Sequence, residues 1–313
     1  MLTLFSTPKP FRGHIGVIQR NALKSWTLLH PDVEVILFGD DDGAADICKE
    51  FGLRHEPHVE RGISGKKRID YMFGKAQAIA RHDLLCHVNC DIILMDDFVR
   101  AVQLVVSKYL QFLMVGRRWD TPITQLVNYS DSGWNDLVRT YALSANEQRD
   151  WWWIDYFVFS RGFFGKEMPP FVIGTVRWDN WLLWKALDLR LPVVDASQAV
   201  LAVHQNHDYN YHPDGKKGVW EGKESQQNLA LAGGWDHIRN IFHATRQITA
   251  DGRIVGTWMR RKRLEMKEFA ENPMSNTWYS LLRLSLTARR ALGLNRQGIA
   301  QIRTRFGAGG NLK

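Results

Sequence analysis

The sequence predicts an α/β fold with a Rossmann-like, mostly parallel central sheet and a basic, mainly helical C-terminal extension. Short apolar runs alternate with helix-length amphipathic segments through the first half of the chain, as a parallel sheet with crossover helices requires. Polar side chains follow directly after several of these runs. From about residue 250 the composition changes to basic segments with the spacing of helices.

The first two strands are predicted at Leu2 to Ser6 and Val33 to Phe38, which are both short apolar runs. Thr7-Pro8-Lys9-Pro10 ends the first strand, and the acidic turn at residues 39–43 ends the second. A helix between the two strands is indicated by apolar residues at helical spacing, namely Ile15, Ile18, Ala22 and Trp26.

A short helix is predicted next, from Ala44 to Phe51, and Gly52 stops it. Residues 53–55 are predicted as a third strand, and Leu84 to Val88 as a fourth. The helix between these strands has one apolar face, formed by Ile69, Met72, Phe73, Ala76 and Ile79.

The second half of the chain has a less regular pattern. Its predicted elements are a strand end and helix within Ile92 to Tyr109, a strand at Phe112 to Gly116, a long loop with a short helix at residues 120–150, a buried strand at Ile154 to Phe159, a helix at Asn180 to Leu189 and a last strand within Pro192 to His204. We therefore divide the chain into a sheet domain at residues 1–245 and an extension at residues 246–313.

The positive charge of the chain belongs to its tail. Of the net charge of +8, residues from Arg253 onward account for +10, with 13 Lys or Arg against 3 Glu, and residues 1–252 for −2. A nucleic-acid enzyme would more often spread its cations over a binding face, so the charge does not favour nucleic acid as a partner.

The cysteines and the N-terminus predict a cytoplasmic protein. The three cysteines are an odd number, and Cys86 and Cys90 lie too far apart along a strand to pair with each other, which favours a reducing compartment. The N-terminus has no charged segment followed by an apolar one, so we expect no secretion signal. We also expect no membrane span, because no run of 18 apolar residues occurs.

Candidate site residues follow the predicted strands. In an open parallel sheet the ligand site lies outside the carboxyl ends of the strands. The residues at these positions are Ser6, Thr7, Asp40, Asn89, Asp91, His204 and His207, with Asp208, Tyr209 and His212 close behind. The sequence lacks GxGxxG after the first strand and GxxxxGK[ST] throughout, so neither of these two nucleotide-binding loops is predicted.

Asp91 is the candidate ligand for a divalent cation. Mg²⁺ or Mn²⁺ takes hard oxygen ligands and can complete its coordination with the oxygens of a diphosphate. Asn89, on the same face of the strand, is placed to contact a ribose. The alternative is that Asn89-Cys90-Asp91 only turns the chain into the next element.

Several segments resemble one enzyme family. The stretch from Gly74 to Asp91 resembles the region up to and including the DxD motif of GT-A glycosyltransferases. Together with Ile154 to Phe159, Trp178 to Trp181 and His204 to Tyr209, it resembles a bacterial family of predicted sugar transferases that carries VNCDIIL, WDNWL and HQNHDY. The resemblance covers about residues 1–245. It implies a GT-A fold and the transfer of a sugar, hexosyltransferase-like, from a nucleotide-diphosphate donor, as in polysaccharide biosynthesis.

The resemblance also implies roles for individual residues. Asp91 would bind Mn²⁺ or Mg²⁺, Lys75 would contact the donor phosphate, and Asp40 would contact the nucleotide base. The first Asp of the motif is replaced by Asn89, so the metal is held by fewer charges. For Asp40, the alternative is a solvated acidic turn.

Two further carboxylates are candidates for catalysis. By the same resemblance, Asp179 is the base that takes the proton of the acceptor hydroxyl, which gives inversion if it acts directly; the alternative is a helix N-cap. Asp155 begins a strand that otherwise reads as buried, so its carboxylate should face either a sugar or an ion-pair partner.

The resemblance also implies a C-terminal histidine ligand for the metal; His204 fits this role by its position at a strand end, and His207 is the alternative. Neutral imidazole can bind Mn²⁺. Lys216 and Lys217 lie in a glycine-flanked loop that could close over the leaving diphosphate; most such lysine pairs are only solvated. The basic tail favours either peripheral contact with the inner face of the cell membrane, which would bring the enzyme to a lipid-linked acceptor, or packing of a helix on the sheet domain.

The function predicted from these residues is metal-assisted transfer of a sugar to a glycan, lipid-linked or small-molecule acceptor. A nucleotidyltransferase that makes the sugar nucleotide is one alternative, although residues 7–13 match its Gly-rich loop poorly. A noncatalytic carbohydrate-binding protein is the other, suggested by the 13 Trp.

Overall fold

The computed structural model of the chain describes residues 1–145, 148–164, 167–208, 213–260 and 262. Its strands are β1 (Leu2–Ser6), β2 (Val33–Phe38), β3 (Arg54–Glu56), β4 (Leu84–Val88), β5 (Ile92–Ile93), β6 (Leu113–Thr121), β7 (Ile154–Ser160), β8 (Val193–Asp195), β9 (Ala202–Gln205), β10 (Arg246–Ile248) and β11 (Ile254–Gly256). Its α-helices are α1 (Gly13–Thr27), α2 (Ala44–Phe51), α3 (Ile69–Ile79), α4 (Asp96–Val106), α5 (Trp134–Ala145), α6 (Trp178–Asp188), α7 (Gly215–Glu221) and α8 (Lys223–Ala232). Two short 3₁₀-helices follow at Trp235–His237 and Ile241–His243.

The strands form one mixed sheet in which most pairs are parallel. Its order is β11-β10-β8-β6-β7-β4-β1-β2-β3, and β9 joins it by pairing with β6 and β5. The block β4-β1-β2-β3 is parallel throughout, as are the pairs of β8 with β6 and β10 and of β9 with β6. The predicted α/β class with a mostly parallel central sheet is confirmed.

One central strand runs against its neighbours. β7 is antiparallel to both β4 and β6, although the alternating pattern predicted a parallel sheet. The start of β7 therefore lies beside the end of β4, and the backbone N–H of Asn89 donates to the carbonyl of Asp155 at 2.9 Å. This reversal places Asp155, the second residue of its strand, at the rim where the parallel strands end.

β6 changes register along its length. Its first residues pair with β8 and its later residues with β9, and its register against β7 shifts between Val115 and Arg117, where β7 carries one extra residue. The residue at the shift is Gly116, where a Cβ would overlap the hydroxyl group of Tyr156. Such a bulge bends a strand and redirects its side chains. Beyond the shift, Asp120 is in register with His204 of β9.

Buried side chains cover both faces of the sheet. One cluster joins Leu2 and Leu4 of β1 to Trp26 of α1 and to residues of α2 and α4. The other joins Phe5 to Phe73 of α3 and Trp181 of α6. β1 and β2 are therefore apolar at most positions on both faces, as expected for strands that are covered on both faces.

The C-terminal part of the sheet differs from the prediction. Residues 192–204 form two strands, β8 and β9, rather than one, and β10 and β11 add to the sheet beyond residue 245, the predicted end of the first domain. The first compact unit runs from Met1 to Thr257. The predicted helical stripe from Trp278 to Leu292 lies outside the described residues. Of the helices that are described, none has the length and apolar character needed to cross a bilayer.

Candidate active site

A cavity of about 1010 Å³ opens at the rim where β1 and β4 end and β7 begins. Seven of the candidate residues from the sequence contribute to its wall: Thr7, Asn89, Asp91, Asp155, Asp179, His204 and His207. The parallel pairing of β1 with β4 and the antiparallel pairing of β4 with β7 bring these distant segments together. The cavity therefore collects carboxylates, imidazoles and lysines in one place.

Asp91, His204 and His207 form a cluster suited to a cation. One ligand atom from each lies within 4.8 Å of the other two. The Nε2 atom of His207 lies 3.2 Å from Asp91 Oδ2, and that of His204 lies 3.8 Å from the same oxygen. The other carboxylate oxygen, Asp91 Oδ1, is buried and has no hydrogen-bond partner among the described residues.

The second ring nitrogens indicate how these imidazoles are oriented. His207 Nδ1 lies 2.6 Å from the carbonyl oxygen of Asp208, and His204 Nδ1 lies 3.1 Å from Asp120 Oδ1. Both of these oxygens only accept hydrogen bonds, so a proton on Nδ1 of each ring is the arrangement that suits them. A ring in that form would present the Nε2 lone pair to a shared cation, whereas the hydrogen bond from His207 to Asp91 requires a proton on Nε2. The residues present therefore fit a divalent metal.

Charge around Asp91 favours its ionised form. Burial alone would raise the pKa of Asp91, but the hydrogen bond with His207 and the charges of His204, His207 and Lys9 outweigh it and hold that pKa well below its usual range. The peptide groups of Asp91 are also fixed, because its carbonyl accepts from the backbone N–H of Gln205 at 3.1 Å. An ionised, immobile carboxylate is what a metal ligand requires.

Asp120 and Arg118 extend the cluster into the sheet. Asp120 accepts from Arg118 Nε at 2.8 Å and pairs with Arg149 Nε at 2.9 Å. Burial acts to raise the pKa of Asp120, yet its hydrogen bond with His204 and the charges of Arg118, His204 and Arg149 lower that pKa to about 2. An ionised Asp120 holds the His204 ring in one orientation, as a carboxylate does for a metal-bound histidine.

Asp155 is held by a buried ion pair. Arg118 Nη1 lies 3.1 and 3.3 Å from its two oxygens, and Asn89 Nδ2 donates to Oδ1 at 2.7 Å. Both Arg118 and Asp155 are buried. Of the two interpretations of Asp155, sugar contact and ion pair, the geometry shows the ion pair. The side-chain amide of Asn89 belongs to the same network, because it donates to Asp155.

Asp179 lies in the first turn of α6 and is the carboxylate with the most raised pKa in the cavity. Burial raises the pKa of Asp179 to about 6, and the charge of Asp155 acts in the same direction; backbone hydrogen bonds and Arg177 oppose the rise. Its Oδ1 has no hydrogen-bond partner among the described residues. Arg177, the residue before α6, adopts φ 89°, a conformation that strains a residue with a side chain. A carboxylate with this pKa is poised to act as a base near neutral pH.

The cavity wall also carries cations, namely Lys9, Arg61, Lys66 and Lys67. Lys67 is buried and bonded to Thr7 Oγ1 at 2.8 Å, to the carbonyl of Pro8 at 3.2 Å and to Asp41. It thus ties the ends of β1 and β2 together. Lys9 has its backbone held by Gln19 at 2.7 and 2.8 Å, and burial lowers the pKa of its ammonium group, against the effect of Asp91.

Four candidates from the sequence lie outside the cavity wall. Ser6 is buried between β1 and β4, where it donates to the carbonyl of Val88. Asp40 is exposed and pairs with Arg61 at 3.0 Å. Lys75 lies six residues into α3, roughly 9 Å along the helix from its start near the rim. Lys216 belongs to α7, so the predicted closing loop is a helix, and only later residues of that helix line the cavity.

Sequence reasoning missed Lys9, Lys67, Arg118 and Asp120 as site residues. The alternation in Arg117-Arg118-Trp119-Asp120 was a usable signal, because residues two apart on a strand share a face. No pattern marked Lys67, whose partners are far away in the sequence. Tyr209 and His212, which follow the two histidines, lie outside the described residues.

Solved structures resemble this chain at low identity. Glucosyl-3-phosphoglycerate synthase from Mycobacterium tuberculosis in complex with Mg²⁺ and uridine diphosphate aligns with a TM-score of 0.44 and 14% identity over 75% of this chain and 80% of that chain. Its complex with Mn²⁺, uridine diphosphate and phosphoglyceric acid gives 0.44 and 14% over 75% and 79%. S. aureus TarS 1-349 gives 0.40 and 9% over 66% and 58%.

No protein-family model matches the sequence, and no curated protein gives a significant match. The family suggested by VNCDIIL, WDNWL and HQNHDY therefore stays a prediction. At the identities and TM-scores of the solved structures, likeness alone says nothing about activity, and the function has to be argued from the cavity.

Proposed function

We propose that this chain is a metal-assisted glycosyltransferase that moves a sugar from a nucleotide-diphosphate donor to an acceptor hydroxyl. The observation that carries the proposal is the presence of a cation cluster, Asp91 with His204 and His207, and a base-like carboxylate, Asp179, in the wall of one cavity.

The residues of the cluster would hold Mn²⁺ or Mg²⁺ through Asp91 and the Nε2 atoms of the two histidines. Bound there, the cation would supply Lewis-acid neutralisation of a diphosphate. Lys9 adds positive charge close enough for its pKa to respond to Asp91. Asp120 orients His204, and Arg118 holds Asp120 and Asp155 in place.

Asp179 is assigned the role of base. With its pKa at about 6, it is mainly ionised at neutral pH and binds a proton more readily than an ordinary aspartate. It would take the proton from the acceptor hydroxyl as that oxygen forms its bond to the anomeric carbon. The bond from this carbon to the diphosphate breaks, and the electron pair leaves with the diphosphate oxygen, whose charge the lysines that line the cavity stabilise.

A thermal-shift screen of UDP-, GDP-, CMP- and dTDP-sugars with and without Mn²⁺ tests the proposal. We expect one nucleotide class to raise Tm only when Mn²⁺ is present, and slow hydrolysis of that donor in the absence of acceptor. Hydrolysis separates an enzyme from a noncatalytic carbohydrate-binding protein. The absence of both the shift and the hydrolysis with every donor would overturn the proposal.

We also propose contact with an anionic membrane surface through the start of the C-terminal segment. Trp258 and Met259 are exposed side by side, and Lys262 Nζ lies 5.3 Å from the Trp258 ring. Apolar side chains beside cations are typical of interfacial segments. Sedimentation with phosphatidylglycerol vesicles but not with phosphatidylcholine vesicles is expected, and equal recovery with both would contradict this contact.

A further inference from the structure

The turn that carries Asp91 is fastened to helix α1. Asp91 lies between β4 and β5, and the residues that follow it bond to the C-terminal half of that helix. Trp26 Nε1 donates to the carbonyl of Ile92 at 2.9 Å. The backbone N–H of Leu94 donates to Ser25 Oγ at 3.2 Å. The carboxylate of the cation cluster therefore comes from a turn with a fixed place on α1.

Gln205 joins the histidine-bearing segment to the same helix and to the same turn. It lies between His204 and His207 in the sequence and is fully buried. Its backbone N–H donates to the carbonyl of Asp91 at 3.1 Å, and its side-chain Nε2 approaches that carbonyl at 3.2 Å. The same Nε2 donates to the carbonyl of Ile18 in α1 at 2.7 Å. Because one residue binds both the turn and the helix, the two segments of the cluster keep a fixed separation.

Asn21 of α1 fixes the side chain of Gln205. Its Nδ2 donates to Gln205 Oε1 at 2.8 Å and to the carbonyl of Gln125 at 2.9 Å, and its Oδ1 accepts from the backbone N–H of Val127 at 2.9 Å. Every N–H bond of these two amides thus has an acceptor, and both amide oxygens have a donor. Turning the Gln205 amide over would place its oxygen against two carbonyls. A buried network that is satisfied throughout specifies one arrangement.

The separation that this network maintains suits a small divalent cation. Neighbouring ligands of an octahedral ion, each at about 2.1 Å from it, lie about 3 Å apart. The Nε2 atoms of His207 and His204 lie 3.2 and 3.8 Å from Asp91 Oδ2. The ligand atoms therefore already lie near the separation that binding requires, so little ordering of the chain remains to oppose it.

We infer that Gln205 and Asn21 are positioning residues of the metal site, whose paired amides hold Asp91 and the two histidines at the separation that gives the site its affinity. This inference rests on the proposed metal-assisted transfer and deepens it. Neither residue lines the cavity. Gln205 acts through the peptide group of Asp91, and Asn21 acts through Gln205, so their effects lie in series.

Titration of Mn²⁺ into the full chain, followed by calorimetry, tests the inference without turnover. Gln205→Leu removes the side-chain hydrogen bonds but keeps a side chain of similar size, and it should weaken Mn²⁺ binding about tenfold. Asn21→Ala should weaken it by a smaller factor. The double variant should bind Mn²⁺ about as weakly as Gln205→Leu alone, because effects in series do not add.

A kinetic measurement separates positioning from general damage. With Gln205→Leu, the Mn²⁺ concentration that half-activates donor hydrolysis should rise about tenfold, in step with the binding constant. The rate at saturating Mn²⁺ should stay within about threefold of that of the unaltered protein, because a bound cation itself draws the ligands together.

Tyr129→Phe is the matched control. Its hydroxyl group donates to the backbone carbonyl of Asn21 at 2.6 Å, so the variant loses a hydrogen bond to the same helix while the amide pair remains. We expect a lower free energy of unfolding in urea and an unaltered affinity for Mn²⁺. An equal loss of affinity in Tyr129→Phe would overturn the inference, since any weakening of α1 would then have the same effect.

Unaltered Mn²⁺ affinity in Gln205→Leu and Asn21→Ala would also overturn the inference, while binding of Mn²⁺ by the unaltered protein leaves the proposed function standing. If Gln205→Leu does not fold, Asn21→Ala and its control decide the question. Failure of the unaltered protein to bind Mn²⁺, to hydrolyse any donor and to show any nucleotide-induced shift would overturn the proposed function and this inference together.

Discussion

Replacing Asp179 with asparagine should make the protein more stable and much less active. Burial raises the pKa of Asp179 from 3.8 to about 6, so ionising this group is harder in the folded chain than in the unfolded one. The difference corresponds to about 3 kcal/mol at pH 8, above both pKa values, and to about half as much at pH 5. The folded protein therefore loses stability as the pH rises from about 4 through 6, and Asp179→Asn should recover part of this loss.

Urea unfolding at pH 8 and pH 5 measures the stability effect. We expect Asp179→Asn to raise the free energy of unfolding by about 1–3 kcal/mol at pH 8, and by a smaller amount at pH 5. Turnover should fall by about two to four orders of magnitude, as loss of a general base does, and the limb of the rate profile that rises through pH 6 should disappear.

A carboxylate at the far end of the same helix provides the control. Asp188 is exposed near the end of α6, and Asp188→Asn should leave both unfolding and turnover near those of the unaltered protein. Turnover of Asp179→Asn within fivefold of normal would place the base elsewhere. A stability gain that is the same at both pH values would show that the carboxylate of Asp179 is not destabilised by burial.

Three further predictions follow from the site and the core. Asp91→Ala should abolish transfer and detectable Mn²⁺ binding in calorimetry, while the circular dichroism spectrum stays unchanged. Normal turnover of this variant would show that the reaction does not depend on a metal at Asp91. Asp120→Asn should weaken Mn²⁺ binding by about 10- to 100-fold, because His204 loses the carboxylate that orients it, and unaltered affinity would deny that role. His87 is fully buried, with neither ring nitrogen bonded to any described residue, and burial lowers its pKa to about 3. His87→Phe should therefore raise the free energy of unfolding by about 1–3 kcal/mol in urea, and a loss of stability would indicate a hidden partner.

Local pattern was enough to predict most individual elements. β1, β2 and β4 have the predicted bounds, since each is a short run buried on both faces between clear turn residues. α2 also ends as predicted, because Gly52 adopts φ 67° at its C-terminus. These features depend on neighbours in the sequence, which a single sequence displays.

Pairing between distant segments was not predictable in the same way. The reversal of β7 depends on which strands flank it, and the apolar run Ile154 to Phe159 looks the same in either direction. Asp91, His204 and His207 could be named because each lies at or just after the end of a predicted strand, and they do meet in one cavity. Lys67 could not be named from the sequence, because its role depends on contacts with Thr7 and Asp41, which are far away along the chain.

The alternation of β6 on either side of Gly116 determines which side chains reach the cavity. Upstream of Gly116 the strand alternates between the two cores, and downstream of it the same alternation presents Arg118 and Asp120 to the rim and Trp119 to the small cluster beside α5. Deleting one residue at this point would exchange odd and even positions, so an indole would occupy the place of the guanidinium. The placement of the charged side chains at the rim thus depends on Gly116, a residue that has no side chain. A deletion there would inactivate the site without replacing any ligand-binding group.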